Sequence, residues 1–286
     1  MLLEPQRHEG TKVSSHKHDR ATGAGRTQPN RGARGETVAA DRRHEPQVNA
    51  LYGIHTVSEV IRARPVDYVL VTQGATNPRL QEIIDACRGA GISVRFAPRQ
   101  ALERAAGTPH HQNIVALCTP KAYDDLETIL SAPERPLLVV LDGVEDPANL
   151  GAIVRTAVAA GAHGVVIPAR RAAGLSPAVA RSAAGALEHA KIARVTNLVQ
   201  TLSELKERGV WVYGFDAQAS KSYLDVDFTG ACALVFGGEG HGVHRLVRET
   251  CDELARIPLH GPVQSLNVSV AAAVVLYEAA RQRHLR

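Results

Sequence analysis

The chain is poor in the residues that mark several large functional classes. Its 286 residues hold only four cysteines (Cys87, Cys118, Cys232, Cys251), far apart and without a CxxC pair. That usage speaks against a disulfide framework and a zinc site, and for a reducing, cytoplasmic setting. No apolar run approaches the roughly 20 residues that span a bilayer, so no membrane partner is expected. The polar N-terminus lacks the apolar core of a secretory signal. Aromatic residues make up only 4% of the chain, too few for a platform that stacks single-stranded bases. The thirteen histidines contain no HExxH or similar spacing. His110-His111 and the pair His16 and His18 are expected to be solvated, and no metal is expected. Lysine is scarce as well: Lys12, Lys17, Lys121, Lys191, Lys206 and Lys221 leave arginine to supply most of the 33 basic residues. Arginine suits bidentate phosphate contacts. The net charge of +4 permits a nucleic-acid partner without requiring one.

What remains is an ordinary globular balance, 44% hydrophobic and 22% charged. Residues 1–49 are rich in Arg, His, Gly and Thr with few large apolar side chains, which predicts a disordered basic tail. A small α/β unit follows over 50–118. Helices are expected near 56–64, 79–89 and 99–105, with strands at Tyr68–Thr72, Ser93–Ala97 and Asn113–Cys118. Residues 119–136, framed by Pro120, Pro133 and Pro136, read as a linker with a short helical piece. From Leu137 to the end, 137–286, apolar strand-like runs alternate with helical patterns: Leu137–Leu141, Val165–Ile167, Ile192–Val195, Val210–Phe215, Ala233–Phe236 and Leu254–Ile257. Such alternation predicts a mostly parallel sheet with helices on both faces. Ligands then sit beyond the carboxyl ends of the strands.

Three strand-end loops carry unusual polar residues. After the first strand, Asp146-Pro147 is an N-cap and N1 pair that opens a helix. Leu150, Ile153, Val154, Ala157, Val158 and Gly161 give its core face. The other sides carry mostly small residues, so the helix is expected to be buried, with its lone Arg155 paired or facing a cleft. After Ala233–Phe236, the run Gly237-Gly238-Glu239-Gly240-His241-Gly242 lets a backbone approach a ligand or take positive φ. It does not meet the GxGxxG pattern and lacks a P-loop lysine. A helix near 243–251 follows. After Leu254–Ile257 comes Ser265-Leu266-Asn267-Val268-Ser269, with three polar tips where an apolar last helix begins. One such residue suffices for capping, so a ligand pocket at the helix N-terminus is the sharper reading.

At these three loops the chain resembles the SpoU (TrmH-type) branch of the SPOUT RNA methyltransferases. The motifs are Asn149-x-Gly151-x-x-x-Arg155, Gly237-x-Glu239-x-x-Gly242, and Pro258-x-x-Gly261 leading to Ser265-Leu266-Asn267-Val268-Ser269. The segment from Tyr52-Gly53-Ile54-His55 to His111-Gln112 is similar to the ribosomal-protein-like RNA-binding domain of bacterial 23S rRNA guanosine 2′-O-methyltransferases. The resemblance covers about 51–286 and implies a C-terminal trefoil knot, S-adenosylmethionine bound in a bent form, and a homodimer with composite active sites. It places Gly237, Ile257 and Leu266 against the cofactor. It places Arg155, Asn149, Glu239, Ser265 and Asn267 in the catalytic cluster.

The implied reaction is methyl transfer to a ribose 2′-hydroxyl of RNA, rRNA being favoured and tRNA the main rival. Family proposals give the hydroxyl proton to the motif arginine, here Arg155. A side chain with a pKa above about 12 is rarely neutral, so a positioning and charge-stabilising role suits it better. A non-catalytic RNA-binding or ribosome-assembly factor is the alternative outside enzymes.

Overall fold

The computed structural model describes residues 49–131 and 133–284. The predicted basic tail, with His16 and His18, lies outside the described residues except for Asn49, which opens the first strand.

The N-terminal unit runs β1 (Asn49–Tyr52), α1 (Ile54–Ala63), β2 (Tyr68–Thr72), α2 (Pro78–Gly89), β3 (Ser93–Ala97), α3 (Arg99–Ala106) and β4 (Ile114–Cys118). Its strands form one sheet in the order β1-β4-β2-β3, antiparallel except for the β2–β3 pair. Asn77 caps α2, accepting from the Arg79 amide at 2.9 Å, with Pro78 at N1. One face of the sheet buries Val69, Val71, Ile114 and Ala116 with Leu80, Ile83 and Ile84 of α2. The other buries Val115 and Leu117 with Leu102 of α3.

The 119–136 segment connects the two sheets and is itself packed. It contains α4 (Leu126–Ser131), whose buried Ile129 fills the space beside Gly164. The carboxylate of Asp124 accepts from the Ile192 amide at 2.8 Å.

The C-terminal unit runs β5 (Leu137–Asp142), α5 (Pro147–Ala159), β6 (Gly164–Pro168), α6 (Pro177–Ser182), a 3-10 turn (Ala186–Glu188), β7 (Ile192–Val195), α7 (Leu198–Glu207), β8 (Trp211–Phe215), β9 (Lys221–Ser222), a second 3-10 turn (Tyr223–Asp225), β10 (Cys232–Gly237), α8 (Arg245–Thr250), β11 (Glu253–Arg256) and α9 (Val268–His284). The sheet is parallel throughout, in the order β7-β6-β5-β10-β8-β11-β9. The continuous apolar run of β5 follows from having both faces covered. Leu137, Val139 and Leu141 join α5, α6 and α9 in one core layer, while Leu138 and Val140 join α4, α7 and α8 in the other. After β5 the chain builds outward through β6 and β7, then returns to lay β10 against the free side of β5. The strand order therefore reverses between β5 and β10, and a crevice opens beyond their carboxyl ends.

The two units share a core. Leu51, Val60 and Cys118 belong to the same buried cluster as β5, α5 and α9. Arg64 pairs with Glu188 at 2.8 Å, the Glu188 side chain being 2% exposed, and also donates to the Thr119 carbonyl. His189 meets Glu59 at 2.9 Å, and the Arg181 guanidinium lies over the Tyr52 ring. Among the described residues no helix is long and apolar enough to cross a membrane.

Four expectations are corrected. His111 is buried rather than solvated, 1% exposed, and its Nδ1 accepts from the Asn113 amide at 3.1 Å. The last helix begins at Val268, so Ser265 and Leu266 lie in the loop before it. Gly161 lies past the end of α5 at φ 76°, exposed, and takes no part in its core face. α5 is buried on one side only: Ala148, Arg155 and Ala159 are exposed, because no element of this chain covers them.

Candidate active site

Asp142, the last residue of β5, ties the first two loops together. Its Oδ2 accepts from the His244 amide at 2.7 Å and from His244 Nδ1 at 3.0 Å. Its carbonyl accepts from the Gly238 amide at 2.7 Å. This close join explains two glycines. A Cβ on Gly238 would strike the Gly143 backbone, and one on Gly237 would strike Gly242 and Val243. These glycines let the loop close on protein backbone, whereas Gly240 and Gly242 take the expected positive φ, 86° and 62°.

Asp146 caps α5 by accepting from the Ala148 amide at 3.0 Å, with Pro147 at N1. The first turn then presents Asn149, 7% exposed, to the glycine loop. Asn149 Nδ2 donates to Glu239 Oε1. Asn267 Nδ2 donates to Asn149 Oδ1 at 3.1 Å and to Glu239 Oε1 at 3.3 Å. Asn267 Oδ1 meanwhile accepts from the amide of Ser269 at 2.9 Å and from its hydroxyl at 2.6 Å. One residue thus caps α9 and fixes the carboxylate, while Ser269 supports Asn267. All three strand-end loops meet in this Asn149–Glu239–Asn267 group. One oxygen of Glu239 takes both amide donors, which leaves Oε2 for a ligand.

Two cavities flank the group. The first, about 700 Å3, is lined by Gly237, Ile257, Ser265, Leu266 and Asn267, with Phe215 and Phe236 stacked at 4.9 Å. An ion pair of Asp216 with Arg248, 3.2 Å apart, borders it. The second, about 880 Å3, is lined by Asp142, Glu145, Asn149, Arg171, Glu239 and His244 among others. Ser265 lines the first cavity without a hydrogen bond to the three-residue group.

Arg155 is not brought to the group. It is exposed on α5, lines neither cavity, and has no ion pair or hydrogen bond with a described residue. Asp142, Arg171, Asp216, Arg248 and His244 border the cavities without having been singled out in the sequence. The strand-end rule reaches Asp142 and Asp216, the last residue of β5 and the first after β8. Nothing in the sequence pattern marks the other three.

Burial pushes the Cys251 thiol up to about 12 and raises Cys87, Cys118 and Cys232, so none of the four is a ready nucleophile. Among the described residues no three His, Cys, Asp or Glu are grouped to hold a metal.

Residues 136–277 match the SpoU rRNA methylase family, and residues 50–124 match the family of RNA 2′-O ribose methyltransferase substrate-binding domains. A putative TrmH family tRNA/rRNA methyltransferase from Bacillus subtilis, YacO, is 42% identical over 83% of this chain and 97% of its own length. The chain belongs to the SpoU rRNA methylase family. The 23S rRNA (guanosine-2′-O-)-methyltransferase RlmB of Photobacterium profundum is 43% identical over 82% of this chain and 98% of its own. Among solved structures, the SpoU methyltransferase AviRb of Streptomyces viridochromogenes, in complex with AdoMet, aligns at a TM-score of 0.70. It is 27% identical, over 82% of this chain and 90% of that one. The matched range contains all three loops, and each contributes one side chain to the Asn149–Glu239–Asn267 group.

Proposed function

We propose that the chain transfers a methyl group from S-adenosylmethionine to a ribose 2′-hydroxyl of structured RNA, 23S rRNA being the favoured substrate. The observation that carries the reading is the hydrogen-bonded Asn149–Glu239–Asn267 group standing between two cavities. A transfer between two bound molecules needs two seats that meet at the reacting atoms.

The first cavity suits the cofactor. Its apolar side, with Phe215, Phe236, Ile257 and Leu266, fits a flat purine, and the Asp216–Arg248 pair offers both charges to an amino-acid head. At about 700 Å3 it lies within the ordinary range of ligand sites. When bound, S-adenosylmethionine would supply an electrophilic methyl carbon. Gly237, Ile257 and Leu266 would hold that molecule and the free oxygen of Glu239 would orient the ribose hydroxyl; as the methyl passes to the ribose oxygen, the sulfur keeps the bonding pair and the hydroxyl proton leaves to water. Asn149 and Asn267 keep the carboxylate from rotating.

Arg155 completes the site from a second copy of the chain. α5 exposes Ala148, Arg155 and Ala159, and α9, packed against it, exposes Val270 and Tyr277. Two adjoining helices with small and apolar outer stripes support a two-fold dimer. In it, each Arg155 stabilises the developing alkoxide in its partner's site. The family's trefoil knot and a cytoplasmic setting belong to the same reading.

The test is methyl transfer from labelled S-adenosylmethionine to unmodified 23S rRNA transcript. Arg155→Ala and Glu239→Gln should each abolish turnover while cofactor affinity stays within a few-fold. Co-expressed, the two should regain about a quarter of wild-type activity, since half the dimers then carry one intact site of two. No methyl transfer by the wild-type chain sinks the reaction. An absence of complementation in a dimeric sample sinks the composite site.

A further inference from the structure

The second cavity holds an arginine with no structural duty. Arg171 follows β6 at φ 54°, a left-handed conformation that side chains other than glycine rarely adopt. Its loop is pinned on both sides. The Ala173 amide donates to the Val144 carbonyl at 2.8 Å, and the Ala169 amide to the Val195 carbonyl at 2.7 Å. The Ala169 carbonyl accepts from Arg194 at 2.7 Å. Arg171 itself has no partner among the described residues. A merely solvated arginine gains nothing from a strained, fixed backbone, and such strain gathers where a side chain must be aimed.

Of the cavity's other titratable side chains, Glu145 and His241 have no partner among the described residues, and Glu239 keeps one carboxylate oxygen free. Asp142 is held by His244, Asp146 by the Ala148 amide, and Glu239 by two side-chain amides. Among the described residues lining this cavity, which opens on Asn149 and Glu239, Arg171 is the single arginine or lysine, set among the carboxylates of Asp142, Glu145, Asp146 and Glu239. An anion carried on a molecule with hydroxyl donors fits it, as in a nucleotide whose ribose meets Glu239.

We propose that this cavity seats the acceptor nucleotide and that Arg171 binds the phosphate beside the reacting ribose. This rests on the methyl-transfer reading above. A guanidinium held in a fixed position matches phosphate geometry better than a free surface charge does.

The experiment uses the full chain with unmodified 23S rRNA transcript, measuring RNA binding over a salt series and steady-state methyl transfer. Arg171→Gly keeps the backbone comfortable and removes the guanidinium. It should raise the RNA KM about tenfold or more, with kcat and cofactor affinity within about twofold. The slope of log K against log salt should shrink by roughly 0.7–0.9, the value of one phosphate contact. Arg171→Lys should restore that slope. An unchanged slope with unchanged RNA affinity overturns the proposal, as does a loss confined to kcat or to cofactor affinity. A wild-type chain that binds RNA without methylating it overturns the reaction instead, and the slope comparison still decides the role of Arg171.

Discussion

Asn267→Ser separates the two jobs of one side chain. Asn267 caps α9 through Oδ1 and fixes Glu239 and Asn149 through Nδ2. Serine is as good an N-cap as asparagine but is too short to reach the carboxylate. Two donated hydrogen bonds disappear, each worth about 0.5–1.5 kcal/mol net. Glu239 is exposed and regains water, so the low end applies, about 1 kcal/mol in all. Asn267→Ala loses the cap as well, about 1 kcal/mol further. Stability should therefore descend from wild type through Ser to Ala in nearly equal steps, read from urea midpoints. Methyl transfer should not follow those steps. A freed carboxylate misplaces the hydroxyl, and a misplacement of about 1 Å costs on the order of 10²-fold. Both variants should fall by that factor in single-turnover assays on 23S rRNA transcript. A Ser variant with near wild-type turnover, or activities that track the urea midpoints, would refute the positioning role.

Two glycine substitutions should move stability in opposite directions. On Gly151, facing α6, a Cβ would lie 2.5 Å from Ser182 Cβ and 2.7 Å from the Val179 carbonyl oxygen. Overpacking of about 1–3 kcal/mol then exceeds the gain in helix propensity of about 1, and Gly151→Ala should lower the urea midpoint. Gly89, the last residue of α2, has nothing within 4 Å of its added Cβ, so Gly89→Ala should raise stability by about 0.5 kcal/mol. Equal shifts from the two would show that packing at Gly151 yields freely. The pH dependence should expose His163. Burial holds its pKa below the usual value, Arg283 and Lys191 add to this, and its Nδ1 accepts from the Leu137 amide at 3.0 Å. A lowered folded pKa means the unfolded chain binds the proton first. The stability from neutral His163 is thus complete above about pH 6.5 and declines as the pH falls below it. His163→Asn keeps an acceptor that does not titrate and should flatten the fall in urea midpoint between about pH 7.5 and 5.5. Parallel curves for the two proteins would contradict the assignment.

Much of this architecture was legible because it rests on local chemistry. The Asp146-Pro147 start of α5 and the Asn77-Pro78 start of α2 are side-chain caps with a proline at N1, and both stand where the sequence puts them. The strands of the parallel sheet show as unbroken apolar runs because both faces are covered. The meeting of Asn149, Glu239 and Asn267 was legible only by adding a resemblance to the strand-end rule. What escaped was set by neighbours distant in the chain. β1 is four residues whose pairing with β4 no local pattern announces, and β9 is two. α6 hides in a run of small residues. His111 reads as a solvated histidine, yet the fold buries it. α5 looked buried on every side because its outer alanines were counted with the core, whereas this chain leaves them bare.

The shared core and the Arg64–Glu188 pair have a consequence beyond holding two units together. A long flexible tether lets an RNA reader sample many distances from a catalytic centre. Here the joint is a shared buried cluster with an ion pair whose Glu188 side is buried, which holds the N-terminal sheet and the crevice between β5 and β10 at one separation. The chain then acts as a gauge. With both units engaged on one RNA, as the proposed function has it, a folded substrate of that span should be methylated in preference to the same sequence unfolded. Selectivity of this kind is set by the length of the instrument rather than by the reading of a sequence. Loosening the joint, for instance by Glu188→Ala, is the change that would widen the range of RNAs accepted.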